Sequence, residues 1–330
     1  MYLDFYGLAD RPFEITSNPR FLYFTDRHRE ALTNLEYGLS SAKAITVLLG
    51  QAGTGKTTLL RAALMSERCH HVRCLFVLNP TLTRGEFLET LAQQFGLGDT
   101  ASRSKSVFLS QVEAVLRERR AHGEIIALVV DEAQSLSNEL LEEIRLLTNI
   151  ETPDEKLLPL VLAGQPEFGE RLNEPGLQQV KQRVALRCEI LPLTLPETAS
   201  YIAKRIRTAG GEAARLFTRE AVMAIYDYTK GVPRTINVVC DNALISGFAL
   251  GRQPVDRDII MEVCRDFDLR GTAARADQTP QKERMFFGPA ASAGASGVAA
   301  AHKSGPDEPT AGTEGHDRPR PRPFGLRGLR

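Results

Sequence analysis

The stretch Ile45-Thr-Val-Leu-Leu-Gly50-Gln51-Ala52-Gly53-Thr54-Gly55-Lys56-Thr57-Thr58 decides the fold. Its apolar start reads as a buried strand, the G-x-x-x-x-G-K-T that follows as a phosphate-cradling loop, and the residues after Gly55 as a helix. Glycines let such a loop wrap with its N–H groups facing inward, and the helix N-terminus adds positive potential, so the whole turn suits polyphosphate. Gly50 through Thr58 are therefore the candidate nucleotide-binding residues. Lys56 is placed to reach the β- and γ-phosphates and Thr57 to hold Mg²⁺, which makes ATP and Mg²⁺ the expected cofactors.

Outward from this loop, short apolar runs alternate with helical patterns. Strands are expected near 44–49, 73–78, 125–130 and 158–163, and helices at 55–68, 83–95, 104–121 and 136–149. That rhythm builds a parallel sheet covered by helices. Thr83-x-x-Glu86 and Thr194-x-x-Glu197 are capping boxes and mark two helix starts. From Leu193 onward strand signals stop. Helices are expected near 195–209, 218–229, 235–250 and 256–267, separated by Gly210-Gly211, Gly231-Val-Pro233 and Gly251-x-x-Pro254. The fold class is thus α/β: an N-terminal segment and first helix (1–43), a phosphate-loop core (44–192), a small all-helical lid (193–270) and a tail (271–330).

The run Ile125-Ile-Ala-Leu-Val-Val130-Asp131-Glu132 sets two carboxylates at the C-terminal end of a buried strand, where open parallel sheets gather ligand chemistry. Asp131 reads as the acid that holds Mg²⁺. Glu132, next to it, reads as the group that orients the water attacking the γ-phosphate. The following strand delivers Gln165 to the same edge, where a side-chain amide suits contact with that phosphate or water; a turn residue before Pro166 is the plainer reading.

These features together resemble the AAA+ ATPases. Under that resemblance Arg183, in Gln182-Arg183-Val184, looks like the arginine finger that reaches a neighbouring subunit's γ-phosphate, with Arg187 as the fallback. Arg234, in Gly231-Val-Pro233-Arg234, looks like the lid arginine that contacts nucleotide. Surface ion pairing is the simpler alternative for both. Arg171, Arg205 and Arg207 match nothing. The blocks Asn18-Pro19-Arg20-Phe-Leu-Tyr23, His28-Arg-Glu-Ala-Leu32, Val130-Asp-Glu-Ala-Gln134 and Val161-Leu-Ala-Gly-Gln-Pro-Glu167 are more specific. Over residues 1–270 the chain resembles the ExeA-type ATPases, the general secretion pathway protein A family. The resemblance implies a homo-oligomer with ATP at subunit interfaces, supporting an envelope secretion or polysaccharide-export system. The transmembrane helix and peptidoglycan-binding region of longer members find no counterpart here.

Composition narrows the classes. The chain has 330 residues with 41 Lys plus Arg against 41 Asp plus Glu. No large positive field advertises a nucleic-acid binder. A DNA-associated ATPase resembling transposition regulators is therefore the secondary reading, and a nucleotide-gated adaptor with slow turnover the third. Five scattered cysteines suggest neither a disulfide framework nor a zinc site. The Cys69-His-His-x-x-Cys74 cluster fits no usual zinc spacing. The N-terminus lacks the pattern of a signal peptide and no apolar run spans a bilayer, so the expected location is cytoplasmic, with partners as the route to the inner membrane. Residues 271–330 are rich in Ala, Gly and Pro and poor in apolar side chains, which predicts a disordered tail ending in the Arg-rich Arg318-Pro-Arg-Pro-Arg-Pro. The N-terminal aromatics Phe5, Tyr6, Phe13, Phe21 and Tyr23 fit either an adenine pocket or plain core packing.

Overall fold

The computed structural model describes residues 2–15, 19–77, 81–98 and 104–269. The expected tail lies outside the described residues, as do Asn18 and Leu78. Five parallel strands, β1 (Ile45–Gly50), β2 (Val72–Val77), β3 (Ile125–Val130), β4 (Leu160–Gly164) and β5 (Val184–Ile190), form one sheet in the order β2-β3-β4-β1-β5. The three central strands are buried at every position, while the edge strands β2 and β5 are only partly covered. This is why β1, β3 and β4 read as unbroken apolar runs and the edges less clearly.

Helices cover both faces. Asp26–Ser40 and Lys56–Leu64 pack over Leu48, Val129 and Val161 on one side. Arg84–Gln94, Lys105–Ala121 and Asn138–Leu147 pack over Val47, Leu128 and Leu162 on the other. Thr83 and Thr194 both form the expected reciprocal capping boxes with Glu86 and Glu197. The helix expected over 55–68 stops earlier, at Leu64, and a short 3-10 turn, Glu67–Cys69, leads into β2. The helix expected from 235 begins at Pro233, whose missing N–H and fixed φ suit the first helical position.

Leu195–Thr208, Arg219–Thr229, Pro233–Ala249 and Arg257–Asp266 build the helical lid. Its apolar core is shared with the beginning of the chain: Tyr6, Leu8, Phe13 and Phe21 are buried among Ile202, Ile206, Phe217 and Ile236. Phe13 packs edge to face on Phe217 with ring centres 6.1 Å apart. Burying each such aromatic contributes about 2–3 kcal/mol. Arg205, 7% exposed, fixes the backbone of the same segment by donating to the carbonyl oxygens of Pro12 at 2.5 Å and Glu14 at 3.1 Å. Gly231, in the turn between the lid helices Arg219–Thr229 and Pro233–Ala249, sits at φ +74°, and a Cβ there would stand 1.8 Å from the carbonyl oxygen of Leu193, where the chain passes from sheet to lid, so this turn tolerates only glycine. Among the described residues, no helix is long and apolar enough to cross a membrane.

Candidate nucleotide-binding site

The strand register brings the chemistry to one edge. Leu49 of β1 lies beside Gly164 of β4, and Val130 of β3 beside Leu162, so the loop after Gly50, Asp131 and Gln165 all leave the sheet at its C-terminal end. Gly53 and Gly55 take φ of +81° and +103°, which turn the loop inward before the helix that opens at Lys56. Gly50 is required by close approach: a Cβ would lie 2.8 Å from the Thr54 hydroxyl and 2.9 Å from the Ile190 carbonyl oxygen.

Lys56 is nearly buried, and its ammonium donates to the carbonyl oxygens of Gly50 at 2.8 Å and Gln51 at 3.2 Å. Burial pushes its pKa below the ordinary lysine value, while the fields of Glu132, Asp131 and Glu167 act in the opposite sense. The Thr57 hydroxyl donates to Asp131 Oδ2 at 2.8 Å. A hydroxyl and a carboxylate at the mouth of a phosphate loop are hard oxygen donors of the kind Mg²⁺ takes, and the pair fits that ion.

Glu132 occupies the left-handed region at φ +54°, and its carboxylate accepts from Gln134 Nε2 at 2.5 Å. Gln134 Oε1 in turn accepts the backbone N–H of Gln165 at 3.0 Å. Sequence reasoning saw Gln134 only as part of a block and gave it no role, because the partner of its amide oxygen, Gln165, lies at the end of a different strand. Arg171, which matched nothing, donates to the Gln134 carbonyl oxygen at 3.1 Å.

A cavity of about 210 Å³ opens beside the loop. Its walls come from three places: Phe21 and Tyr23 of the N-terminal segment, Gly53 and Thr58 of the loop, and Tyr201 and Arg234 of the lid. The structure thus divides the early aromatics. Phe21 and Tyr23 pack on the lid core and also line the cavity, Tyr6 and Phe13 lie in that core away from the cavity walls, and Phe5 is half exposed against Phe248. His28 is buried in the same wall. It bonds Thr25 Oγ1 through Nδ1 at 2.7 Å, and burial lowers its pKa while a bond to the Thr54 backbone acts the other way. Arg234 touches the loop through its backbone, donating to the Gly53 carbonyl oxygen at 3.2 Å.

Arg183 is not brought to this edge. β5 runs beside β1 with Val184 opposite Ile45 and Ile190 opposite Gly50, so Arg183 leaves the other end of the sheet, where it donates to Asn149 Oδ1 at 2.7 Å. Arg187 lies part-way along, opposite Val47.

A model of the AAA domain family matches residues 39–172, which carry the phosphate loop, Asp131, Glu132 and Gln165. General secretion pathway protein A of Aeromonas hydrophila is 38% identical over 255 residues, 77% of this chain and 46% of that one. The chain belongs to the general secretion pathway protein A family of AAA proteins. It spans less than half the length of that relative. The fold of this family member is also that of the Aeropyrum pernix ORC2 protein in its ADPNP and ADP complexes, at 18% identity and TM-score 0.58 over 78% of this chain and 71% of the other. Cdc6p of Pyrobaculum aerophilum matches at 17% identity and TM-score 0.60 over the same shares. The five-stranded parallel sheet with its helical lid is an AAA-type arrangement.

Proposed function

We propose that this general secretion pathway protein A family member binds ATP with Mg²⁺ and hydrolyses it as an oligomer, in support of an envelope secretion or export system. The observation that carries the reading is the convergence of Lys56, the Thr57–Asp131 pair and Glu132 on one sheet edge beside a cavity walled by the lid. The loop N–H groups and Lys56 hold the β- and γ-phosphates, and Phe21 and Tyr23 offer the base an apolar wall. Bound between Thr57 and Asp131, Mg²⁺ would neutralise phosphate charge. Glu132 aligns the attacking water, Gln165 contacts the γ-phosphate, and Arg234 on the lid follows the nucleotide.

Arg183 serves a neighbouring subunit, because it lies at the opposite end of the sheet from its own loop. The name of the Aeromonas relative supports a secretion role, and contact with the inner membrane would come through partners. Steady-state Mg-ATPase activity across protein concentration, with and without duplex DNA, beside Glu132→Gln, tests the reading. Specific activity that rises with concentration, ignores DNA and is lost in the variant is expected. Stimulation by DNA would replace it with a DNA-associated role, and ATP binding without turnover would replace it with a nucleotide-gated adaptor.

A further inference from the structure

We propose that Gln134 is a positioning residue for ATP hydrolysis: one side-chain amide ties Glu132 at the end of β3 to Gln165 at the end of β4. The inference rests on the ATPase reading above and adds to it a residue outside the motif set. Glu132 is exposed on the turn that follows β3, yet water activation needs its carboxylate aimed within a fraction of an ångström. Gln134 supplies that aim. Its Nε2 donates to Glu132 Oε2 at 2.5 Å, which occupies one carboxylate oxygen and leaves Oε1 to face the water.

The orientation of the amide is fixed by chemistry. The carboxylate can only accept and the Gln165 N–H can only donate, so Nε2 must face Glu132 and Oε1 must face Gln165, where it accepts at 3.0 Å. Gln134 is itself held. Its carbonyl oxygen accepts from Arg171 Nη1 at 3.1 Å, and Arg171 Nη2 donates to Asn138 Oδ1 at 2.5 Å. Arg171 ends the helix Pro166–Arg171, which follows directly on Gln165, so the turn after β3 and the turn after β4 are braced against each other. Gly164 leaves room for this: a Cβ there would meet Gln134 Oε1 at 3.3 Å and Phe168 Cβ at 3.1 Å. A shift of Gln165 on meeting the γ-phosphate would therefore move the carboxylate that orients the water.

The test compares wild type with Gln134→Leu, which loses both bonds, and Gln134→Glu, which keeps the acceptor for Gln165 but sets a like charge beside Glu132. Both variants should lower kcat about tenfold or more while KM and the affinity for a fluorescent ATP analogue stay within about threefold. Unchanged kcat, or losses in affinity that match those in kcat, would overturn the role. If Gln134→Leu does not fold, Gln134→Glu, closest in shape, carries the same prediction. A wild type that binds the analogue without turnover would sink the hydrolytic reading and the catalytic role with it. The clamp is then read separately from the thermal midpoints of the nucleotide-free proteins. Glu132→Ala and Gln134→Leu should lower the midpoint non-additively, and additive losses would overturn the clamp as well.

Discussion

Thr57 and Asp131, 74 residues apart in the chain, share a hydrogen bond of 2.8 Å across the mouth of the phosphate loop. The two oxygens are held together by the β1–β4–β3 ladder, so the pair is organised before any cation arrives. Asp131→Asn keeps the shape and removes the charge. It should raise the Mg²⁺ concentration for half-maximal turnover by about tenfold or more, and chelation should abolish turnover in both proteins. A Mg²⁺ titration of ATPase activity checks this, and an unchanged midpoint would remove Asp131 from the metal site.

Lys56 and Glu132 should separate binding from chemistry. Lys56→Ala removes the ammonium whose donors sit on the Gly50 and Gln51 carbonyl oxygens, and ATP binding should fall below detection in a fluorescent-analogue titration. Glu132→Gln should bind normally and turn over about 10²- to 10⁴-fold more slowly. Undiminished ATPase activity in Glu132→Gln would contradict its role.

Arg183 cannot reach its own phosphate loop. Six residues of β1 separate the two ends of the sheet, roughly 17 Å at the usual rise of an extended strand. Arg183→Ala should therefore lose about 10³-fold in kcat and regain activity when mixed with inactive Lys56→Ala protein, since each supplies what the other lacks. Mixtures that stay inactive would assign the finger to another residue.

His28 gives the fold an acid limit. Burial holds its pKa below the ordinary value of about 6.5, so the unfolded chain binds the proton more readily. Its contribution to stability is complete above that value and is lost as the pH falls through it toward the lowered folded pKa. Thermal midpoints of wild type should drop more steeply below pH 6.5 than those of His28→Gln. Parallel curves would show that His28 titrates alike in both states.

Gly231→Ala should destabilise the protein by more than about 2 kcal/mol, since a left-handed φ alone costs about 1–2 kcal/mol for alanine. The rest is the bond from Leu193 N–H to the Gly231 carbonyl oxygen, 2.8 Å, which the added methyl would displace. A denaturant midpoint equal to wild type would contradict the requirement for glycine.

What the sequence made legible follows from how local each signal is. The phosphate loop, the buried strands β1, β3 and β4, and the capping boxes at Thr83 and Thr194 are each specified within a dozen residues, and the structure contains them within a residue or two. Phe13 and Phe21 were ambiguous because an aromatic in an irregular segment has no periodicity, and their surroundings are set by helices almost two hundred residues later. Arg205 was missed for the same reason: besides the Tyr201 hydroxyl one turn away, it donates to two backbone carbonyls about 190 residues earlier, which no motif can encode. Gln134 was visible as a letter in a block, but its role depends on the neighbouring strand end.

The shared core of the first residues and the lid also governs the order in which the molecule can be assembled. Tyr2 bonds Asp241 across 239 residues, and Phe13 finds Phe217 only after the whole sheet domain has been made. The phosphate-loop sheet is in effect an insertion within the helical domain. During synthesis the opening segment must wait until the lid residues that bury it emerge, so it finds its place only after the sheet that follows it in the chain has been made.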